Sequence, residues 1–467
     1  MPKRNFILLI TILALIIIGL FGFLYLRSGT TPVEVVSNGT NFLSMFNPFR
    51  SNPSTPGTTP PETNTPGEDQ GTQSGEVVAE NLKKVSTMPI AGFTIFSKER
   101  LKEVPVVVPP PSTTDSTTTP ATTTTPTTTT PATPPSAAPV KKAPVVKPVP
   151  PKTEFAEAVR YVERATGNIY QTFVDKIEEK KFSQTVIPKI YDAYFGNQGM
   201  SVVMRHLKLG DATIETFYGL LPKEKFGEDL TNNEIKGSFL PDNVKDISLS
   251  PDASKIFYLL NVGNSAVGTI LNLADGKKTQ IFNSVFSEWN SNWGSANTIT
   301  LTTKPSGAVP GYMYAINVGT KNFSNVLGNV NGLTTLMSPS GKLVLVGNGS
   351  LSLYIYHTDT KAFDQLGVNT LPEKCTWNKM SDAVYCAVPT FITGATYPDD
   401  WYRGEISFSD QIWKINIKDG NTKMIADPLA ITNPEDIDGI KLAVDNNENY
   451  LFFVNKKDSF LWELSLK

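Results

Sequence analysis

A turn followed by a short apolar strand recurs along the C-terminal part of the chain and constrains the fold more than any other feature. It reads "YFGNQGMSVVM" from 194, "LSPDASKIFYL" from 249, "NWGSANTITL" from 292, "LMSPSGKLVLV" from 336, "TWNKMSDAVYC" from 376 and "AVDNNENYLFF" from 443. Each copy has an apolar or aromatic residue, a turn of Ser, Pro, Asp, Asn or Gly, and then mostly apolar residues. Such turns suit tight hairpins, and β-branched and aromatic side chains suit strands. A second unit follows: an alternating strand, a turn and a polar strand, as in "GYMYAINVGTKNFSNVLG" (311), "SLYIYHTDTKAFDQLG" (352) and "DQIWKINIKDGNTKMIAD" (410). Tyr314, Tyr354, Trp413 and Trp462 fall at one position of this unit, with Tyr170 a looser match. Tyr314 and Tyr354 are 40 residues apart, and Pro251 and Pro339 are 88 apart, twice 44. Four strands every ~40–45 residues is the signature of a β-propeller, whose sheets pack on one another around an axis.

The expected fold is therefore all-β, a propeller of seven blades, with six or eight as alternatives. The last repeat, "IKLAVDNNENYLFFVNKKDSFLWELSLK", supplies only three strands. The missing one is expected from an island at 80–103, "ENLKKVSTMPIAGFTIFSKERLKE", which is too small to fold alone. Strand 82–86 would complete the last blade and 90–96 would begin the first, removing two exposed sheet edges. "SPDASKIFYLL" and "SPSGKLVLV" resemble the Ser-Pro-Asp-Gly-Lys turn of WD40-like propeller repeats of the TolB type, a resemblance that spans roughly residues 80–467. Only two copies carry the Ser-Pro turn, and the resemblance implies the fold and no particular partner.

The N-terminus sets the expected location. Residues 1–5 carry Lys3 and Arg4, and 6–26 form an uninterrupted apolar run. As a helix, that run would span roughly 31 Å, the thickness of a bilayer's hydrocarbon core. It is longer than a signal-peptide core and lacks a small-x-small cleavage site, which points to an uncleaved signal anchor. The positive-inside rule keeps residues 1–5 in the cytoplasm and places the rest outside it, in the periplasm or on the cell surface. Residues 27–79 read as a disordered Pro/Thr/Gly-rich tether. A second such stretch, 104–151, has fourteen Thr among residues 111–140 and reads as a disordered insertion within the first blade, whether or not it is glycosylated.

Function is less constrained. A net charge of −2 gives no field for nucleic acid. Two cysteines and two histidines, His206 and His357, could barely assemble a structural zinc site, and no metal or other cofactor is expected. No nucleophile elbow, P-loop or zinc-protease motif is present, so no catalytic residue is assigned. Cys375 and Cys386 flank the turn of one hairpin and, in an exported chain, are a candidate disulfide; two buried thiols are the alternative. The insertion at 388–410, "VPTFITGATYPDDWYRGEISFSD", carries Phe391, Tyr397, Trp401, Tyr402 and Arg403, residue types that dominate binding hot spots. They are a candidate binding surface, with packing of the aromatics on their own blade equally open. The expected role is a membrane-anchored binding scaffold or sensor for an envelope protein, a peptide or a glycan. The alternatives are an enzyme with a site on the propeller axis, recognisable by acids and Arg in the channel, and a structural envelope protein.

Overall fold

The computed structural model describes residues 81–102, 152–224 (apart from 209 and 211) and 233–467. The expected membrane anchor, the tether and the Thr/Pro-rich insertion lie outside them. Among the described residues no helix is long and apolar enough to cross a membrane.

The chain forms seven four-stranded antiparallel sheets, the seven-bladed propeller that the repeat implies. Strands are lettered a to d outward from the axis. The blades cover 90–181, 190–239, 244–284, 289–331, 334–369, 375–426 and, last, 439–465 together with 82–84. In this last blade, strand 7d (Leu82–Lys84) pairs with 7c (Leu461–Ser465), with Leu82 opposite Leu464 and Lys84 opposite Trp462. Beyond Lys84, Val85 and Ser86 leave the ladder, both turning their amides to the Leu461 carbonyl. Strand 1a (Ile90–Leu101) then starts the first blade.

The opening hairpin turn has a local cause. In "SPDAS" the Ser250 hydroxyl accepts the Lys255 amide at 3.0 Å and donates to Asp252, while Ala253 takes a left-handed φ of 53°. In "SPSG" Ser338 accepts Leu343 in the same way at 3.2 Å, and Gly341 takes the left-handed position at φ 71°. A serine hydroxyl thus substitutes for a backbone acceptor in each turn, which fixes the register of the strands that follow.

Apolar packing lies between blades. Seven buried clusters sit at the seven blade–blade junctions, each drawing on two neighbouring sheets. The cluster closing the ring joins Val85, Phe452 and Leu461 of blade 7 to Ile90, Val159 and Tyr161 of blade 1. Trp289, Trp293, Trp377 and Trp462 belong to these cores. Near the axis, 1a and 2a (Ile190–Gly196) approach so closely that a Cβ on Gly92 would meet the Ala193 carbonyl oxygen at 2.0 Å. Only glycine permits that contact. Strands 1a and 1b (Thr153–Glu163) are longer than their counterparts, and the Lys102 amide donates to the Lys152 carbonyl at 2.9 Å. The 103–151 segment therefore leaves and returns at one point, on the tip of this hairpin.

Candidate functional site

Because successive strands alternate in direction, the b–c loops and the d–a connections open on one face of the ring. The a–b and c–d turns open on the other. The first face carries the insertion between 6b (Ala383–Pro389) and 6c (Asp410–Asn416). The second carries the entry at Leu82, both ends of the 103–151 segment and the end of strand 7c.

Exposed apolar side chains follow the same division. Val186, Val262, Val285, Phe286, Val309 and Phe391 stand on the insertion face. The other face shows Met380, Leu101 and Phe155 of the 1a–1b hairpin tip and, less exposed, Leu220 and Phe323 at strand ends, so the strongly exposed ones are fewer there. Scattered exposed apolar residues need no explanation, but a bias toward one face of a disc does.

The five candidate residues of the insertion divide. Phe391 is 73% exposed, whereas Tyr397 and Trp401 are 3% and 4% exposed and stack on Phe408. Tyr402 is at the surface and donates to Glu373. Arg403, also exposed, pairs with Asp400 and Glu405 on its own loop. Tyr397 and Trp401 thus form the insertion's own core with Leu351, Leu371 and Phe408, leaving Phe391, Tyr402 and Arg403 at the surface. Cys375 and Cys386 face each other across strands 6a (Cys375–Trp377) and 6b and are joined by a disulfide.

Beneath the insertion lies a buried charge cluster that no local pattern announced. Lys374 is fully buried, its Nζ donating to Asp410 Oδ2 at 2.7 Å and to Asp438. Its ammonium lies 5.4 and 5.1 Å from the ring centroids of Trp401 and Phe408. Asp438 also accepts the Trp401 indole at 2.9 Å, the Ser407 hydroxyl at 3.0 Å and the Phe408 amide at 3.1 Å. Burial pushes the Asp438 carboxyl up, but Lys374 and these donors more than offset it and hold it below the usual range. Burial wins at Asp410, whose carboxyl is pushed up to about 6 despite Lys374. One ammonium cannot neutralise two buried carboxylates, and Asp410, with Oδ1 unpartnered, is where the proton goes.

Between the loops of blades 7, 1 and 2, on the insertion face, is a depression of about 740 Å³. Its rim is stitched across three blades: Ile90 donates to Ser459 O at 2.8 Å, Arg164 to Pro89 O at 3.0 Å and Ile190 to Arg164 O at 2.9 Å. The Arg164 guanidinium adds a bond to Ser459 Oγ at 2.7 Å. Arg164, Lys189, Lys456 and Lys457 line it against two carboxylates, Glu163 and Asp458. Lys456 Nζ also donates to Trp401 O at 2.6 Å, in the short helix α1 (Asp399–Arg403), so the wall of the depression abuts the insertion.

On the axis, Asp192 of 2a accepts Lys441 Nζ at 2.5 Å, Tyr194 Oη at 2.7 Å and Arg205 Nη1 at 3.3 Å. Burial would raise this carboxyl, but those partners hold it below the ordinary range. Asp246 of the neighbouring inner strand accepts the Ser291 amide at 2.5 Å, and burial raises it. An acid–arginine cluster is therefore present in the channel. Its carboxylates are engaged by neighbouring donors, while Arg205 Nε is left without a partner, and Lys441, which also donates to Ala91 O, ties blades 7, 1 and 2 together. Among the described residues no group of three or more His, Cys, Asp or Glu could hold a metal ion.

No family model matches the chain, and no curated protein matches it. Among solved structures, an oligogalacturonate lyase in complex with manganese is similar over 66% of this chain and 85% of its own, at 10% identity and a TM-score of 0.42. An oligogalacturonate lyase from Vibrio parahaemolyticus is similar over 66% and 86%, at 8% identity and a TM-score of 0.42. A functionally unknown protein from Desulfotomaculum acetoxidans is similar over 66% and 89%, at 11% identity and a TM-score of 0.41. Likeness of this extent has no bearing on what this chain binds or transforms.

Proposed function

We propose that this chain is a membrane-anchored, extracytoplasmic propeller of the WD40-like, TolB type that works by binding, as a scaffold or sensor, through its insertion face. One observation carries the reading: most of the strongly exposed apolar residues of the described loops lie on that face, beside a preformed depression. Protein-binding surfaces use such apolar anchors within a polar surround. The apolar run at 6–26 supports the anchor, and the Ser-Pro turns support the repeat type. The first described strand enters the ring from the opposite face, which leaves the insertion face clear of that entry point. The channel cluster is what an axial enzyme would employ, but each of its groups is already engaged by another, and the binding reading is preferred for that reason.

The test is site-specific photo-crosslinking in intact cells, with the crosslinker at Phe286, Phe391 or Met380. Discrete adducts from the first two positions and none from Met380 are expected. Adducts from Met380 alone, or none from either loop position, would overturn the reading.

A further inference from the structure

The buried cluster beneath the insertion brings an amine and two carboxyl groups into reacting distance. Lys374 Nζ lies 2.7 Å from Asp410 Oδ2 and is also hydrogen-bonded to Asp438 Oδ1. Lys374 and Asp438 are 0% exposed and Asp410 is 2% exposed, while the rings of Trp401 and Phe408 close over the ammonium. An ion pair shut away from water loses its solvation. In such a place an amine beside a carboxylic acid lies close in energy to an ammonium beside a carboxylate.

The two carboxyl groups are not equivalent. Asp438 takes four donors, from Lys374, the Trp401 indole, the Ser407 hydroxyl and the Phe408 amide, which keep it a carboxylate. Asp410 takes Lys374 and the Gly439 amide on Oδ2, the latter at 2.6 Å, and its Oδ1 has no partner. With one ammonium for two carboxyls, the proton belongs on that free oxygen, and burial, which raises the Asp410 carboxyl, supports this. The cluster thus holds a nucleophile, a base to free it and a neutral carboxyl to receive it. It also holds an N–H on the oxygen where negative charge would develop.

We propose that Lys374 and Asp410 join in an amide bond, made by the folded chain itself with Asp438 as the base. Asp438 takes a proton from the Lys374 ammonium. The freed electron pair on Nζ attacks Asp410 Cγ, and the carbonyl electrons move onto Oδ2, where the Gly439 N–H holds them. Nitrogen passes a second proton to Oδ1, the Cγ–Oδ1 bond breaks and one water leaves as the carbonyl re-forms. Asp438 ends as the neutral acid, so atoms and charge balance without oxidant or cofactor. Exclusion of water then protects the amide from hydrolysis. The bond ties the turn Pro372–Lys374, just before 6a, to the first residue of 6c. It encloses 6b and the whole insertion in a covalent loop. The titration of Asp410 belongs to the unlinked chain and disappears on linkage. The bond forms whether or not the insertion face binds a partner.

The test is tryptic peptide mapping of the purified full chain after reduction of the Cys375–Cys386 disulfide, before and after prolonged incubation at mildly acid pH. Residues 362–379, uncleaved at Lys374, should appear joined to residues 404–414, which carry Asp410. The joined pair should be lighter than the two peptides together by one water. Lys374→Arg should give no joined pair, and Asp438→Asn should cut the linked fraction about tenfold or more. Recovery of 362–374 and 404–414 only as separate peptides, before and after incubation, would overturn the proposal. That result comes from the parent chain, so it stands even where a variant fails to fold. A joined pair that persists in Lys374→Arg, or a link from Lys374 to residues 424–441, which carry Asp438, would overturn it as well.

Discussion

At the scale of single residues, Lys374 decides the most. It is fully buried between Asp410 and Asp438, and the insertion rests on the same Asp438 through Trp401, Ser407 and Phe408. Replacing it by Met leaves two carboxylates buried without a cation, and Lys374→Met should cost about 3–5 kcal/mol in denaturant unfolding. Asp410 adds a pH signature. Its folded-state pKa is about 6, above the ordinary 3.8, so folding takes up a proton in between. Stability from this group is complete below about pH 4 and is lost as pH rises through 6. At 1.36 kcal/mol per pKa unit the loss is about 3 kcal/mol. Asp410→Asn should flatten that slope, and denaturant midpoints at pH 4.5 and 7.5 would show it. None of this was legible in the chain. "LPEKC", "FSD" and "EDIDG" are unremarkable strings, and "EDIDG" reads as a turn because nothing local reveals that three blade ends converge on one ammonium. The same convergence explains why Tyr397 and Trp401 point inward: the Trp401 indole has its acceptor at the base of the loop, not at the surface.

Among elements, the informative one is strand 7d, three residues long and 378 to 382 positions before the residues it pairs with. Lys83 stands opposite Glu463, which is 1% exposed and has one carboxylate oxygen without a partner. Burial pushes this carboxyl up to about 7, Lys83 opposing and Asp175 adding to the shift. The sign matches that of Asp410: the raised pKa favours the folded state in acid, and the contribution is lost as pH rises through 7. Glu463→Gln should therefore match the parent near pH 4 and exceed it by on the order of 1–3 kcal/mol above pH 7.5, measured by denaturant unfolding. Strands were far more legible than side-chain partners. The blade count could be read because each inter-blade core repeats one demand at one spacing: Trp289, Trp377 and Trp462 each occupy such a core. The depression could not be read. Its rim joins Pro89, Arg164 and Ser459, which the ring brings together across most of the sequence.

For the whole molecule, the two faces of the disc have different assignments. One receives every described point at which the chain enters, leaves for the 103–151 segment or ends; the other carries the exposed apolar loops, the insertion and the depression. A cut anywhere in 103–151 should leave residues 81–102 bound, since 1a pairs with 1b along its length and 7d with 7c. Limited proteolysis followed by size exclusion and mass spectrometry should find both fragments in one peak. Separation of the N-terminal fragment would contradict the pairing.

That ring closure has a mechanical side. The short strand that completes the last blade is also the first described link between the ring and whatever precedes Asn81. A pull on Leu82 directed along the strand axis runs parallel to 7c. A ladder loaded in this direction shares the strain among its hydrogen bonds, whereas one loaded at right angles gives them up singly. Behind the strand, Val85 is locked into the junction of blades 7 and 1, so traction reaching it is spread into a packed core. A lengthwise pull on this thin seam therefore shears it and does not unzip it.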